Sequence, residues 1–241
     1  LAQYQYEKEP TKLRLGFVSA DFGNHPGGFF ILSTLRELRK KNFELISYSC
    51  FDRKDEFVHH FKPLFSKWHS IAKQEDKEVV EQIVKDGIHI LIDTQGHSAG
   101  NRLPIFIYKP APIQASWLAQ GSTGITEIDY FIGSHHITPI NEEKHFLEKI
   151  LRLPNVWSDF VVKQNVDIPQ LSFDEKNNQI IFGCFATLRK INDDVIKLWS
   201  KVLKKFPNTK IYFKAPELNN ISIEKDLKNK FLNHDIKSDR L

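Results

Sequence analysis

The stretch LRLGFVSADFGNHPGG, residues 13–28, decides the fold class of this chain. Its first half, LRLGFVSA, is a short apolar run and predicts a strand. The polar octet DFGNHPGG follows, and residues 29–39 then carry apolar side chains at helical spacing. Glycine permits tight backbone turns and proline fixes φ, so the octet predicts a strand-to-helix turn with His25 at its rim.

The same alternation continues along the chain. IHILID, residues 88–93, is almost entirely apolar, as is typical of a central parallel strand covered on both faces. The other predicted strands are 13–19, 43–50, 112–118 and 129–133, and the predicted helices are 29–39, 55–65 and 75–85. Strands that alternate with helices predict an α/β fold with a doubly wound parallel sheet.

A second unit is predicted after a stretch rich in proline and polar residues near 153–178. Strands at 179–185 and 209–213 alternate with helices at 192–206 and 222–232, which amounts to half of another α/β domain. The predicted domains are an upstream tail (1–11), a first lobe (12–160), a connection (161–178) and the first half of a second lobe (179–241). Because the chain has no methionine, we expect it to be a fragment.

The amino-acid composition limits the classes of protein to which this chain can belong. The chain has 241 residues, 41% hydrophobic and 27% charged, as in a soluble globular protein. The net charge of +4 is spread over predicted helix faces, which favours a solvated surface over a nucleic-acid partner. No stretch is long and apolar enough to span a membrane, and the first residues carry no secretion signal. Cys50 and Cys184, far apart in apolar runs, indicate free thiols, and we expect a cytoplasmic protein.

Three polar clusters follow predicted strands, where ligands collect in open α/β sheets. The first contains His25, the second Asp93 and His97, and the third is QGSTG at 120–124. A carboxylate and a histidine four residues apart could orient one another, and such a pair suits proton transfer near neutral pH. The small residues of the third cluster would let a substrate approach backbone N–H groups.

Each cluster also has a purely structural interpretation. A glycine-rich turn with one histidine is often only a loop, and His89 inside IHILID fits a structural histidine. His135 and His136 fit surface residues. The sequence has no CxxC, HExxH, Asp-x-Asp, GxGxxG or GxxxxGK[ST] motif, so we expect no metal site and no cofactor of the kinds that these motifs bind.

Five motifs in order resemble the catalytic region of the protein O-GlcNAc transferase family. They are LRLGFVSADFGNHP, DGIHILIDTQGHSAGNR, KPAPIQASWLAQGSTG, IDYFIGSHHITP and FATLRKINDDVIKLWSKVLKKFPNTKIYF. The resemblance implies a GT-B architecture, in which two Rossmann-like domains face each other across a cleft and the second holds most of the nucleotide sugar. It also implies an upstream tetratricopeptide array, whose tail would be LAQYQYEKEP.

The resemblance further implies transfer of GlcNAc from UDP-GlcNAc to Ser or Thr hydroxyls of proteins, with inversion and without a metal. His25 matches the histidine of the family's GNHP motif, and Lys190 matches the lysine that faces the diphosphate. Asp93 and His97 match the second catalytic segment, so the general base remains open among His25, His97 and Asp93. The expected substrate-binding residues are Asn24, Pro26, Gln120, Gly121, Ser122, Thr123 and Thr187.

Two departures from the family pattern bear on specificity. Where the family has Gly-Tyr-Pro-Gly-Thr near the acceptor, this chain has a shorter AQGST at 119–123. Where the family often has Asn-Gln beside the uracil, this chain has Ala186 and Thr187. The alternatives are therefore another sugar or acceptor, such as fucose or glucose, a GT-B scaffold without catalysis, and a GT-B epimerase. We expect the fragment alone to be inactive, because the second half of the second lobe would lie beyond Leu241.

Overall fold

The computed structural model describes residues 10–161 and 179–241. The chain divides into two compact units, Leu1–Val166 and Asp167–Leu241, and each is described here by itself. Nearly all of the predicted upstream tail and of the predicted connection at 161–178 lies outside the described residues. The predicted domain boundaries therefore stay predictions.

The first unit is built on a seven-stranded sheet in which every neighbouring pair is parallel. Its strands are β1 (Leu13–Ser19), β2 (Phe43–Ser49), β3 (Lys67–Ser70), β4 (Ile90–Asp93), β5 (Ile113–Trp117), β6 (Tyr130–Ser134) and β7 (Lys149–Leu153). The strand order is β3-β2-β1-β4-β5-β6-β7. The order reverses direction between β1 and β4, as in doubly wound sheets, so the predicted α/β class is confirmed.

Helices cover both faces of this sheet. They are α1 (Pro26–Arg39), α2 (Asp76–Asp86) and the short α3 (Pro104–Ile107). Phe17 of β1 belongs to one hydrophobic cluster together with Leu32 and Leu35 of α1. The adjacent Val18 belongs to the opposite cluster. That cluster contains Val79 and Ile83 of α2 and Ile105 and Phe106 of α3. Successive side chains of β1 thus enter different cores, which explains why the strand is almost uniformly apolar.

The structure corrects three details of the sequence-based elements. Helix α1 begins at Pro26 rather than Phe29, because a proline fits the first helical position and His25 caps the helix. The segment predicted as a helix at 55–65 forms two 3-10 turns, Glu56–His60 and Lys62–Leu64, since Pro63 has no amide hydrogen to continue a helix. The strands β3 and β7 were missed because they lie at the sheet edges, where none of their residues is fully buried and polar or charged side chains interrupt the apolar ones.

The second unit contains a parallel pair of strands, β8 (Ile180–Cys184) and β9 (Thr209–Phe213), joined through the helix α4 (Asp193–Lys205). Asn192 caps α4 by accepting a hydrogen bond from the amide of Val195 at 2.9 Å. The last helix, α5 (Ile221–Leu232), packs Leu227 and Phe231 into the same core as α4. This β-α-β-α sequence confirms the elements predicted for the second unit.

Within residues 10–161 and 179–241, no helix has the length and apolar character needed to cross a membrane.

The two cysteines differ in burial, which predicts different reactivity. Burial raises the pKa of the Cys50 thiol to about 12, so only about one thiol in ten thousand would be ionised at pH 8. Cys184 is only partly buried. In the native chain, iodoacetamide at pH 8 should therefore label Cys184 and spare Cys50, as mass spectrometry would show. Labelling in guanidinium serves as the control, and equal native labelling of both cysteines would contradict this prediction.

Candidate active site

The candidate site lies at the carboxyl ends of three adjacent strands, β1, β4 and β5. The register pairs Val18 of β1 with Asp93 of β4, and Asp93 in turn with Ser116 of β5. The loops that follow these strands are called here the first loop (residues 20–25), the second loop (94–100) and the third loop (118–124). They contain most of the predicted site residues of the first unit, at the point where the strand order reverses.

In the first loop, His25 is the N-cap residue of α1, and its side chain is 44% exposed. Its Nδ1 lies 2.9 Å from Oδ1 of Asp21 and 3.2 Å from the amide nitrogen of Gly27. Both contacts use the same ring nitrogen. Asn24 and Pro26, the predicted substrate-binding neighbours of His25, are exposed beside it.

Asp21 is the buried member of the first loop, with 8% of its surface exposed. Burial raises the pKa of Asp21, and the charges of His25 and Arg53 offset part of that rise, with a smaller contribution from the side chain of Gln95. Nη2 of Arg53 lies 3.6 Å from Oδ1 of Asp21, and Nε of Arg53 donates to the carbonyl of Ala20 at 2.8 Å. Arg53 therefore holds both the backbone and the carboxylate of this loop.

Asp93, the last residue of β4 before the second loop, is almost completely buried, and both of its oxygens accept hydrogen bonds. They accept hydrogen bonds from the amides of Gln95 at 3.0 Å and Gly96 at 2.9 Å, and from the hydroxyl of Ser116 at 2.8 Å. Burial raises the pKa of Asp93, and these hydrogen bonds offset part of the rise. Asp93 thus organises the turn after β4 and links it to β5.

Gly96 is required in that turn for two reasons. Its φ is +50°, in the left-handed region that favours glycine. A Cβ atom at this position would also lie 2.7 Å from Cβ of Ala119, at the start of the third loop. The second and third loops can approach each other this closely only because residue 96 lacks a side chain.

His97 is exposed at the end of the turn, and its Nε2 lies 3.2 Å from the carbonyl oxygen of Ser122. The sequence suggested that Asp93 and His97 orient one another. The structure instead directs Asp93 to its own turn and to β5, and His97 to the third loop. The carboxylate and histidine that do meet are Asp21 and His25, which have the same spacing of four residues.

The third loop is held by Glu148, which is 4% exposed and precedes β7. The amide of Thr123 and the hydroxyl of Ser122 each donate to Glu148 at 2.7 Å, and the hydroxyl of Thr123 donates to it as well. Gln120 is exposed, and a Cβ on Gly121 would meet no atom within 4 Å. Four substrate-binding residues were predicted in the third loop. Gln120 and Gly121 are accessible to a substrate, while Ser122 and Thr123 shape the loop.

In the second unit, the predicted residues Thr187 and Lys190 follow the carboxyl end of β8. They form a 3-10 turn in which the amide of Lys190 donates to the carbonyl of Thr187 at 3.0 Å. Both residues are exposed. Their position in this unit corresponds to that of the first and second loops in the other. The prediction that Lys190 shares a crevice with His25, Asp93 and His97 stays a prediction.

Sequence reasoning missed the residues that support the loops, namely Asp21, Arg53, Ser116 and Glu148. A signal was present for Asp21, since DFGNH has the same carboxylate-to-histidine spacing as DTQGH. Glu148 lies more than twenty residues from the loop that it binds, and no local pattern marks it. Within the described residues, no cluster of three or more His, Cys, Asp or Glu side chains could hold a metal ion.

The profile of glycosyl transferase family 41 matches residues 2–171. The chain belongs to this family. Its relatives in family 41 include a tomato (Solanum lycopersicum) protein described as "Probable UDP-N-acetylglucosamine--peptide N-acetylglucosaminyltransferase SPINDLY", 29% identical over 84% of this chain. The SEC protein of Arabidopsis thaliana carries the same enzyme description and is 28% identical over 83% of this chain. This chain spans 22% of the length of each of these relatives.

A solved mutant of the O-GlcNAc transferase from Thermobaculum terrenum has the same fold as this family 41 chain. The TM-score is 0.82 at 27% identity, and the match covers 100% of this chain and 46% of the bacterial one. This likeness confirms the fold class expected from the motifs, GT-B.

The hydrogen bonds of Asp93 predict a large structural effect on its removal. Asp93→Ala would leave two buried amides and the Ser116 hydroxyl without an acceptor, and should lower the free energy of unfolding by about 2–4 kcal/mol in urea denaturation. Ser116→Ala removes a single donor to the same carboxylate and should cost about 1 kcal/mol. Equal losses for the two variants would show that Asp93 does not organise the turn.

Proposed function

We propose that the protein is an inverting, metal-independent glycosyltransferase that moves GlcNAc from UDP-GlcNAc to Ser or Thr hydroxyls of proteins. Membership of family 41 and the descriptions of the tomato and Arabidopsis relatives support this proposal. The observation that carries it is the contact between His25 and the buried Asp21 at the point where the strand order reverses. A half-exposed imidazole backed by a carboxylate there suits proton abstraction from an acceptor hydroxyl.

The proposed step is a single displacement. The acceptor hydroxyl oxygen forms a bond to C1 of the sugar, while the bond from C1 to the β-phosphate oxygen breaks and its electron pair leaves with UDP. Attack from the opposite face inverts the configuration at C1. The hydroxyl proton moves to Nε2 of His25, because Nδ1 faces the carboxylate of Asp21 and the amide of Gly27 and is not open to a substrate. Charge is conserved in this step, because the additional negative charge on the released UDP is matched by the positive charge of the protonated His25.

Among the three candidate bases, His25 has the most suitable surroundings. The oxygens of Asp93 are buried and accept three hydrogen bonds, so a substrate hydroxyl could reach them only by displacing those donors. The group that faces the ring of His97, at Nε2, is the neutral carbonyl of Ser122, which stabilises a protonated ring less than the carboxylate beside His25 does. We assign Asp93 to organising the second loop and His97 to positioning the acceptor next to the third loop.

The remaining predicted residues receive binding roles. The ammonium group of Lys190 would stabilise the charge that develops on the diphosphate, a role that a fixed cation can fill without a metal. Thr187 would contact the nucleotide. Asn24, Pro26 and Gln120 are exposed next to the candidate base or on the third loop, Gly121 beside them is partly exposed, and all four would contact the acceptor or the sugar. An upstream tetratricopeptide array and a cytoplasmic location also belong to the proposal.

The direct test is a panel of radiolabelled nucleotide sugars incubated with the full-length protein and a cell extract. Labelled protein should form from UDP-GlcNAc and not from GDP-fucose or UDP-glucose. Transfer from another donor would contradict the proposed sugar and agree with the departure at Ala186 and Thr187. Release of UDP without labelled product would contradict protein glycosylation and point to a hydrolase or an epimerase.

The role of Lys190 predicts a specific kinetic defect. Lys190→Ala in the full-length protein should lower kcat about 10²- to 10³-fold, because the leaving diphosphate loses a cation in the transition state. The Kd for UDP-GlcNAc, measured by calorimetry, should change much less. Arg189→Ala is the matched control, since Arg189 is an exposed cation on the same turn. An unchanged kcat for Lys190→Ala, or an equal loss in Arg189→Ala, would contradict the assignment.

A further inference from the structure

We propose that Asp21 is a positioning residue that holds the proton of His25 on Nδ1, so that Nε2 is kept as the acceptor for the substrate proton. This inference rests on the proposed function, in which His25 is the base. Asp21 lies within the motif LRLGFVSADFGNHP, but the family resemblance assigned it no role, and the contact between the two side chains is seen only in the structure.

Two groups compete for Nδ1 of His25. The amide of Gly27 could only donate to it, at 3.2 Å, whereas the carboxylate of Asp21 could only accept from it, at 2.9 Å. One imidazole nitrogen cannot do both at once. The contact with Asp21 is shorter and would be charge-assisted, so it decides the tautomer and the proton lies on Nδ1.

Two neighbouring groups offset part of the effect of burial on the Asp21 carboxylate, namely Arg53 and His25. The guanidinium of Arg53 is 3.6 Å from Oδ1 and is only 24% exposed, so solvent screens its charge weakly. Arg53 is tied in place by its bond to the carbonyl of Ala20. Oδ1 of Asp21 therefore faces both a fixed cation and the ring of His25.

The backbone leaves room for this carboxylate only because residue 27 is glycine. A Cβ on Gly27 would lie 2.2 Å from Oδ2 and 2.9 Å from Cγ of Asp21. Asp21 has little space to withdraw, since its side chain is only 11% exposed. The first turn of α1 thus admits the carboxylate against the ring that caps the same helix.

The consequence for the reaction has two parts. A proton fixed on Nδ1 leaves the lone pair on Nε2, which is the nitrogen that can take the hydroxyl proton. Once Nε2 is protonated, the carboxylate stabilises the imidazolium, as a buried aspartate does for the histidine of serine proteases. Asp21 does not touch the substrate in this scheme and acts only through His25.

The test compares Asp21→Asn with Asp55→Asn in the full-length protein. Asp55 also supports the first loop, because it accepts a hydrogen bond from the amide of Asn24 at 2.9 Å. It accepts a second one from the amide of Phe57 at 3.1 Å. Both of these contacts are with the backbone and not with His25. Asp21→Asn should lower kcat about 10²-fold or more while the KM for the nucleotide sugar changes less than about threefold. Asp55→Asn should not show this split.

A spectroscopic measurement separates positioning from general loop damage. In protein labelled with ¹⁵N-histidine, the neutral ring of His25, assigned through His25→Gln, should be the Nδ1–H tautomer. Asp21→Asn should shift the ring toward Nε2–H, whereas Asp55→Asn should not. A predominant Nε2–H tautomer in the unmodified protein would overturn the proposal.

A second variant guards against misfolding of Asp21→Asn. Gly27→Ala keeps every charge and suits a helix, but its methyl group would displace the Asp21 carboxylate. It should lower kcat and disturb the tautomer in the same direction, with thermal melts reporting whether both variants stay folded. If Gly27→Ala and Asp21→Asn both fold and both keep the kcat and the His25 tautomer of the unmodified protein, the proposal is wrong.

The two proposals can fail separately. If the unmodified protein transfers sugar but Asp21→Asn matches Asp55→Asn in kcat and tautomer, Asp21 has no positioning role while the proposed function stands. If the unmodified protein transfers sugar from no donor, the proposed function fails, and the tautomer measurement alone decides whether Asp21 controls the ring of His25.

Discussion

The parallel pairing of β1 with β4 is the constraint on which the candidate site depends. Because chain direction and strand order are fixed together, Val18 and Asp93 come to lie side by side at the carboxyl edge of the sheet. The first loop then leaves toward α1 and the second toward α3, on opposite faces. A crevice forms between the two loops at the point where they diverge. The strand pairing thereby brings residues that are far apart in sequence to one site.

Behind each of the three loops lies one buried carboxylate. Asp21, Asp93 and Glu148 are 8%, 1% and 4% exposed, respectively. Each accepts hydrogen bonds from, or forms an ion pair with, residues of the loops, and for Asp21 and Asp93 these contacts offset part of the cost of burial. The groups suited to meet a substrate, such as His25, His97 and Gln120, are more exposed. The carboxylates therefore fix the geometry of the loops, and under the proposed function the exposed side chains supply the chemistry.

The sequence predicted much of this fold because central parallel strands are apolar on both faces and helices repeat at 3.6 residues. It failed at β3 and β7, where an edge position relaxes the demand for apolar side chains, and at 55–65, where Pro63 interrupts a helical pattern. The exposed site residues could be predicted from local turns and from the family resemblance. Arg53 and Glu148 could not, because their contacts span loops that are distant in sequence.

The two carboxylate-histidine spacings show why a local pattern alone does not settle a contact. DFGNH and DTQGH both separate the two residue types by four positions. Asp93 is the last residue of β4, so its oxygens meet the amides of the turn that begins directly after it. Asp21 lies two residues beyond β1, and Pro26 starts a helix at once, which folds the N-cap His25 back onto it. The position of the carboxylate relative to the strand end, and the element that follows, decide which histidine it orients.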